Sequence, residues 1–321
     1  MTTENQALEK PGFAKTWWVA IRPFALPAST MPIVFGSVLA VTIGEATFSW
    51  PLFFGALLGM VFLHTGANLL NDVFDFNKGL DVRVNPVSGA VVRGWITPKQ
   101  AAFAAAMFFV LGSGIGLWLL SEVGMPILWI GVAGVAIGLL YSLGPFGLKY
   151  HALGDLAVFL DFGILGSLGA WTVQTGSLSW IPALWAVPMS LLVIGILHAN
   201  NWRDIKSDSD GGIRTVASLM GDRASEFYYR LLIFGPFAAV LAIITVSWLT
   251  GVVPRMPLTF LITLLCLPLA LKLNKKGAKR HKAENPLDFL ALDGATAQLN
   301  LAFGVLSTGA LGLHALVGCV G

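Results

Sequence analysis

Residues 52–75 read LFFGALLGMVFLHTGANLLNDVFD, a long apolar run that ends in amides and carboxylates. Helical spacing of i, i+3 or i+4, and i+7 aligns Asn68, Asn71, Asp72 and Asp75 on one face at the end of the run. A run of this length and composition is typical of a helix that crosses a membrane. We therefore expect the polar face to lie where this helix leaves the bilayer.

The same apolar pattern recurs along the chain and predicts its fold class. Of the 321 residues, 56% are hydrophobic and only 12% are charged, whereas about a quarter are charged in a soluble domain. The sequence predicts an all-α integral membrane protein with nine transmembrane helices in a single domain over residues 1–321, including a polar N-terminal tail over 1–16. The predicted spans are 25–44, 52–75, 98–120, 126–142, 155–174, 181–203, 226–249, 257–273 and 287–319.

The basic residues predict the orientation of the bundle. Of the twenty Lys and Arg residues, all except Arg255 lie in the N-terminal segment, in every second connection, or at the adjoining helix ends. By the positive-inside rule these segments are cytoplasmic, which predicts a multi-pass protein of the cell (inner) membrane with its N-terminus in the cytoplasm. The basic run from Lys272 to Lys282 is expected to face anionic lipid. No nucleic-acid partner is expected.

A second acidic segment, NNWRDIKSD at residues 200–208, follows the sixth predicted span. Both acidic segments open on the predicted cytoplasmic face. Mg²⁺ prefers oxygen ligands and usually shares one or two carboxylates with substrate phosphates, so the two segments predict two partial Mg²⁺ sites that face each other. The predicted metal ligands are Asn71, Asp75, Asp204 and Asp208, and the predicted catalytic acids are Asp72, Asp75, Asp81, Asp204 and Asp208.

Cations and polar groups in the same loops complete the predicted site. Guanidinium and ammonium groups would bind the phosphate oxygens that the metals leave free. The predicted diphosphate-binding residues are Arg22, Lys78, Arg83, Lys149, Arg203 and Arg214, and the predicted pocket residues are Asn68, Tyr141, Asp155, Asn200 and Asn201. Asp161 and Asp293 lie deeper in predicted spans and are functional candidates because they are ionisable, although the sequence names no partner for either.

The predicted arrangement, a metal-bound diphosphate at the cytoplasmic end of a bundle of apolar helices that can hold a hydrocarbon tail, indicates one type of reaction. Diphosphate leaves an allylic carbon, and the resulting cation is attacked by an electron-rich acceptor carbon while the protein supplies positioning and charge stabilisation. A water-poor bundle protects the cation.

The chain resembles the UbiA-type intramembrane aromatic prenyltransferases over nearly its whole length. Family members carry Asn-x-x-x-Asp-x-x-x-Asp after the second helix, which is matched by Asn71 and Asp75 with the third acid displaced to Asp81, and Asp-x-x-x-Asp after the sixth, which is matched by Asp204 and Asp208. The resemblance implies Mg²⁺-dependent transfer of a polyprenyl group from polyprenyl diphosphate to an aromatic acceptor.

Within the family the chain is most similar to the 1,4-dihydroxy-2-naphthoate polyprenyltransferases of menaquinone biosynthesis. The matching pieces are Arg22-Pro23, Leu26-Pro27, the run from Asn71 to Asp81, Tyr141-Ser142, Gly144-Pro145, Leu153-Gly154-Asp155-Leu156 and Asn200-Asn201-Trp202-Arg203-Asp204. The similarity implies prenylation of the naphthoate ring with loss of its carboxylate, which gives demethylmenaquinone.

Two departures from the subfamily keep other acceptors open. The segment 208–213 reads DSDGGI where the subfamily often has Asp-Arg-x-Ala-Gly-Lys, and Lys149 lies eight residues after Tyr141 instead of four. The alternatives are a relative that uses 4-hydroxybenzoate, homogentisate, haem or a sugar phosphate, and a membrane transporter with an acidic ion site.

Overall fold

The computed structural model describes residues 11–79, 89–252, 254–281, 289 and 291–318, and this part of the chain is all-helical apart from one isolated bridge. Eight of the described helices are long and apolar enough to cross a membrane, and a bent pair near the N-terminus brings the number to nine if it forms one span. The predicted fold class is confirmed.

The first span is broken near its start. Helix α1 (Phe13–Ile21) and helix α2 (Pro27–Thr42) meet at an angle of 53°. Between them Arg22 adopts a left-handed conformation with φ 51°, followed by a 3₁₀ turn over Pro23–Ala25. A residue that precedes proline is disfavoured in the right-handed helical region, which explains the break. The structure thus differs from the single helix predicted over 25–44, and α1 begins inside the expected N-terminal tail.

The other spans lie close to their predicted positions. They are α3 (Trp50–Asn77), α4 (Pro98–Val123), α5 (Met125–Ser142), α6 (Gly154–Thr175), α7 (Trp180–Arg203), α8 (Asp222–Thr250), α9 (Leu258–Ala278) and α10 (Leu292–Gly318). The clearest differences are the start of α8 at Asp222 instead of 226 and the end of α9 at Ala278 instead of 273. The predicted start of α10 at 287 lies outside the described residues.

Helix α4 begins at a capping box. The Thr97 hydroxyl accepts a hydrogen bond from the Gln100 backbone N–H at 3.2 Å, and the Gln100 side-chain oxygen accepts one from the Thr97 N–H at 2.9 Å. Pro98 occupies the first helical position, where its missing N–H costs nothing. The start predicted from Thr97-Pro98-Lys99-Gln100 is confirmed.

Helix α2 lies at the centre of the bundle, in contact with α3, α6, α7 and α10. Its backbone comes very close to α6, because a Cβ atom added at Gly36 would lie 2.3 Å from the Ser167 carbonyl oxygen. Small residues permit this approach between membrane helices. The aromatic core beside α2 includes Phe35, Trp185 and Phe260.

Three connections meet at one end of the bundle, which we call the loop end. The connection between α5 and α6 pairs with the one between α7 and α8, where the Arg214 N–H donates to the Tyr150 carbonyl at 3.2 Å and His151 forms a bridge with Arg214. Directly after α3, the Lys78 ammonium donates to the Gly144 carbonyl at 3.2 Å. The two acidic segments therefore lie at the same end of the molecule.

Candidate active site

The end of α3 carries the first acidic group of the site. The Asn71 side-chain amide donates to Asp75 at 3.1 Å and its oxygen accepts a hydrogen bond from the Ser142 hydroxyl at 3.0 Å. Lys149 contacts both the Asn71 oxygen and the Asp75 carboxylate, and the Tyr150 hydroxyl donates to Asp75 at 3.2 Å. Residues from α5 and from the connection between α5 and α6 thus hold Asn71 and Asp75 in place. We call this cluster the first motif.

Asp72 lies behind the first motif and pairs with the residue at the α1–α2 break. The Arg22 guanidinium contacts the Asp72 carboxylate. The side chain of Asp72 is 1% exposed and that of Arg22 is 20% exposed. A buried carboxylate needs a paired cation to offset the loss of hydration. The ion pair therefore fixes the position of Arg22 at the edge of the site.

The second acidic group forms around Arg203 at the end of α7. The Arg203 guanidinium donates to Asp204 at 2.8 and 3.1 Å and to Asp293 at 3.1 Å, and it also contacts the Asn200 side-chain oxygen. Asp293 belongs to the first turn of α10. One arginine therefore joins the acidic segment after α7 to the start of the last helix. We call this cluster, together with Asp208, the second motif.

Asp208 lies between the two motifs, on the short helix Ile205–Asp210 outside the membrane-spanning helices. Burial, together with the negative charges of Asp204 and Asp75, raises the pKa of its carboxyl to about 7 against the opposing effect of Lys149 and Arg203. These interactions come from both motifs, so Asp208 lies within electrostatic reach of each. A concentration of negative charge of this kind favours a bound cation.

A cavity of about 210 Å³ opens between the motifs, and we call it the mouth cavity. Apolar side chains such as Phe24, Val193 and Leu197 form much of its wall. The polar and charged residues that line it are Arg22, His64, Asn68, Asn71, Tyr141, Asp161, Asn200 and Asp293. The cavity therefore combines cationic, amide and carboxylate groups with an apolar wall. Of the predicted metal ligands, Asn71 lines it, whereas Asp75, Asp204 and Asp208 do not.

A second, larger cavity of about 520 Å³ continues from the first into the bundle, and we call it the inner cavity. Its lining is almost entirely apolar and includes Phe109 and Leu165. Its volume is in the range of ordinary small-molecule pockets. Leu117 and Val132 line it and are 61% and 53% exposed, so the cavity reaches the outer surface of the bundle. The two cavities share His64, Ala67, Gly138, Asp161 and Phe162.

The remaining predicted site residues lie in different surroundings. Asn68 and Tyr141 line the mouth cavity, whereas Asp155 is buried beside Tyr228 and lines neither cavity. Asn201 is half-buried on α7 and lines neither cavity.

Among the predicted cations, Arg214 is exposed and meets the site through its backbone alone, and the Lys78 ammonium lies 3.2 Å from the centre of the Tyr150 ring. Asp81 and Arg83 lie outside the described residues.

Sequence reasoning missed two functional candidates at this site and left a third without a partner. Tyr150 contacts the first motif, and its only sequence signal is its position next to Lys149. His64 faces both cavities, and its Nδ1 lies 2.7 Å from the Ser29 hydroxyl. Asp293 was a candidate from the sequence without a named partner, and the structure pairs it with Arg203, which is ninety positions away in the sequence.

The donor set suits a cation that keeps part of its shell for substrate. Within the described ranges, no three His, Cys, Asp or Glu side chains come together as an all-protein metal cage requires. Asn71 with Asp75, and Asp204 with Asp208, each offer one or two carboxylates beside amide oxygens. Mg²⁺ is usually held by one or two carboxylates together with substrate phosphates and water. The residues present therefore fit Mg²⁺ bound jointly with a diphosphate.

Comparison with known proteins defines the class of this membrane protein. Residues 29–292 match the UbiA prenyltransferase family, so the chain belongs to that family and is a prenyltransferase. Family membership favours the enzyme over the transporter that the sequence left open.

The individual relatives agree with this assignment. The chain is 34% identical over 296 residues to the UbiA prenyltransferase domain-containing protein 1 homolog of Drosophila melanogaster, covering 91% of this chain and 78% of the relative. It is 32% identical over 304 residues to UbiA prenyltransferase domain-containing protein 1 of Danio rerio, covering 94% and 85%.

A solved structure shares the fold at low sequence identity. The structure of a UbiA homolog from Archaeoglobus fulgidus, bound to GPP and Mg²⁺, superposes with a TM-score of 0.64 at 14% identity, covering 92% of this chain and 99% of that one. The two chains therefore share the arrangement of helices.

Proposed function

We propose that this protein transfers a polyprenyl group from polyprenyl diphosphate to an aromatic acceptor in a Mg²⁺-dependent reaction at the loop end. One observation carries the proposal: two acid-and-cation motifs border a polar mouth cavity that continues into an apolar inner cavity. A diphosphate and its hydrocarbon tail need these two environments in this order. The solved Archaeoglobus fulgidus homolog bound to GPP and Mg²⁺ supports the same substrate class.

In this proposal Asn71, Asp75, Asp204 and Asp208 hold Mg²⁺ together with the diphosphate. Bound Mg²⁺ supplies charge neutralisation for the departing diphosphate. Asp72 is assigned a different task, because it is buried against Arg22 and orients that guanidinium toward the mouth cavity. Asp81 lies on the same acidic segment and is proposed to complete the first motif.

Arg22, Lys149 and Arg203 are proposed to bind the phosphate oxygens that Mg²⁺ leaves free. In the structure each of them already contacts an acid: Asp72, Asp75 and Asp204 respectively. A diphosphate can therefore replace a carboxylate as the partner of Lys149 or Arg203 without a large movement of either cation. Lys78, Arg83 and Arg214 belong to the adjoining loops and are proposed to attract the diphosphate from the rim.

In this proposal the reacting carbon lies at the junction of the two cavities. The diphosphate fills the mouth cavity and the tail fills the inner cavity, so the allylic carbon lies beside the five residues that both cavities share. The carbon–oxygen bond breaks with its electron pair going to the diphosphate, and a ring carbon of the acceptor attacks. The apolar wall excludes water that would otherwise capture the allylic cation.

We propose 1,4-dihydroxy-2-naphthoate as the acceptor, with loss of its carboxylate to give demethylmenaquinol, the reduced form of demethylmenaquinone. Support comes from the Asn200-Asn201-Trp202-Arg203-Asp204 segment and from the likeness of the chain to that subfamily. The competing acceptors are 4-hydroxybenzoate, homogentisate, haem and a sugar phosphate.

The decisive experiment is an acceptor screen with the purified protein in lipid vesicles. Each acceptor is supplied with geranyl or longer polyprenyl diphosphates and Mg²⁺, and products are identified by mass spectrometry. We expect a prenylated naphthalenediol that has lost the carboxyl group. Prenylation of a different acceptor alone would refute the assignment of the naphthoate and leave the transfer reaction standing.

Two isosteric variants test the metal-binding motifs. Asp75→Asn and Asp204→Asn are each expected to lower kcat roughly 100-fold, because each removes charge stabilisation of the departing diphosphate. Asp210→Asn is the matched control, since Asp210 is exposed on the same loop and lies outside the proposed site. If both Asp75→Asn and Asp204→Asn react at the wild-type rate, the proposal that the two motifs take part in catalysis is refuted.

We also propose that the protein lies in the inner cell membrane and that its loop end faces the cytoplasm. Nearly all basic residues lie at this end, as the positive-inside rule requires. With the native cysteines replaced by serine, Ser209→Cys should react with a membrane-impermeant maleimide only from the cytoplasmic side, and Thr250→Cys only from the other side. The reverse labelling pattern would invert the topology.

A further inference from the structure

Asp161 is an acidic residue deep inside the bundle that none of the roles above uses. It lies on α6 in a π-helical segment, Phe159–Leu165, that interrupts the α-helix. Its carboxylate faces α5 opposite a glycine, since a Cβ atom added at Gly134 would lie 3.1 Å from the Asp161 Oδ1. π-Helical turns in α-helices frequently occur at functional sites, where they redirect a side chain.

The position of Asp161 is the junction of the two cavities. It lines both the mouth cavity and the inner cavity, as does the neighbouring Phe162. The Phe162 ring lies 4.4 Å, centre to centre, from the ring of His64, which also lines both cavities. A carboxylate at this point would lie beside the allylic carbon and beside any acceptor that attacks it.

No described residue forms a hydrogen bond or an ion pair with the Asp161 carboxylate, and this distinguishes it from four of the acids of the site. Asp72, Asp75, Asp204 and Asp293 each contact an Arg or a Lys. An ionisable group inside a membrane helix costs about 2.5 to 3.5 kcal/mol near the bilayer centre. Because no described contact offsets that cost in folding, a functional role for the carboxylate is favoured.

The groups around Asp161 leave it as the acid best placed to exchange a proton with a bound acceptor. Helix α2 packs against the π-helical segment and carries no titratable side chain. The titratable groups on the other elements around it are His64 on α3, Tyr141 on α5, Asp155 on α6 and His198 on α7, and Arg22 and Asp293 also line the mouth cavity. Of these, Arg22 and Asp293 are held in ion pairs, and Asp155 and His198 are buried away from both cavities.

We propose that Asp161 is the catalytic base that takes the proton from a ring hydroxyl of the aromatic acceptor. This inference rests on the proposed function. The O–H proton passes to the Asp161 carboxylate, and its electron pair raises the electron density at the adjacent ring carbon, which bears the carboxylate. That carbon bonds to the allylic carbon, whose bonding pair to oxygen leaves with the diphosphate. Loss of the ring carboxylate as carbon dioxide restores the aromatic ring, and Asp161 returns its proton to the product oxygen.

The first test separates diphosphate departure from transfer. In Asp161→Asn we expect kcat for transfer to fall roughly 100-fold or more, the usual effect of removing a general base. Release of diphosphate from polyprenyl diphosphate without acceptor, and KM for the diphosphate substrate, should stay within twofold of wild type. Asp210→Asn again serves as the matched control.

The second test changes the acceptor. A ring-halogenated dihydroxynaphthoate has a more acidic hydroxyl and depends less on a base, so Asp161→Asn should recover a larger fraction of wild-type activity with it than with the parent compound. Equal relative losses with both acceptors would overturn the proposal, because a purely structural role does not respond to acceptor acidity.

The outcomes distinguish this inference from the proposed function. If wild-type protein transfers the prenyl group and Asp161→Asn transfers it equally fast, the role of Asp161 is refuted and the function stands. If Asp161→Asn also loses acceptor-independent diphosphate release, Asp161 supports the diphosphate site and is not the base. If Asp161→Asn fails to fold, the smaller uncharged variant Asp161→Ala is measured instead, and unchanged kcat in that variant overturns the proposal. If wild-type protein transfers to no acceptor, both proposals fall together.

Discussion

Removing Arg22 should destabilise the protein through the carboxylate that it leaves behind. Asp72 is almost fully buried at the end of α3, and its ion pair joins that helix to the break between α1 and α2. In Arg22→Met the carboxylate loses the cation that contacts it and stays buried. We expect a loss of unfolding free energy that greatly exceeds the value of a surface ion pair.

The size of this loss can be bounded from two sides. Breaking one partner out of a buried ion pair typically costs about 3 to 5 kcal/mol. Protonating a carboxylate whose ordinary pKa is near 3.9 costs about 4 kcal/mol at pH 7. Because Asp72 can take up a proton instead of staying charged, the loss of stability cannot exceed this value. We therefore expect Arg22→Met to lose about 3 to 4 kcal/mol.

A double-mutant cycle identifies the cause. Unfolding in dodecylmaltoside micelles is followed by fluorescence of the eleven tryptophans during titration with a denaturing detergent. Asp72→Asn should cost less than Arg22→Met, because Arg22 is partly exposed to the mouth cavity and can be hydrated there. Arg22→Met combined with Asp72→Asn should recover most of the loss. If the double variant is as unstable as Arg22→Met alone, the buried charge is not the source of the cost.

Three further outcomes are expected. The pKa of Asp208 is about 7 without metal, and Mg²⁺ ligation needs the ionised carboxylate, so Mg²⁺ affinity should rise from pH 6 to 8. Calorimetry in two buffers should detect the proton released on Mg²⁺ binding, and Asp208→Asn should abolish this release. Gly36→Ala, whose methyl would lie 2.3 Å from a backbone oxygen, should lose about 1 to 3 kcal/mol of stability, whereas Gly114→Ala, with nothing within 4 Å, should not lower Tm. Lys149→Met should raise KM for the diphosphate roughly tenfold by removing one charge-assisted contact and leave KM for the acceptor unchanged.

The sequence predicted most of the fold because membrane helices carry a strong local signal. Apolar runs of the right length and the one-sided distribution of basic residues define the spans without any tertiary information. The break at Arg22 was not predicted, since a left-handed arginine has no periodic pattern and only Pro23 gives a hint. The π-helical segment of α6 was also hidden, because its composition is that of any apolar span.

The site was predicted less completely, since its key contacts join distant parts of the chain. The i, i+3 and i+4 spacing gave the polar faces of the two motifs. The pairing of Arg22 with Asp72 across fifty positions and of Arg203 with Asp293 across ninety depends on how the helices pack. Local sequence patterns were therefore enough to name most of the candidate site residues, but the tertiary structure was needed to show which of them pair with each other.

The open wall of the inner cavity has a consequence for which substrates the enzyme accepts. Leu117 and Val132 line the cavity and also face outward, so a tail that outgrows the cavity continues into the surrounding lipid. A closed pocket excludes any prenyl chain that is longer than the pocket, whereas the inner cavity is open to the bilayer at Leu117 and Val132. We therefore expect the length of the quinone tail to be decided by whichever synthase supplies the diphosphate, and this enzyme to attach what the membrane contains.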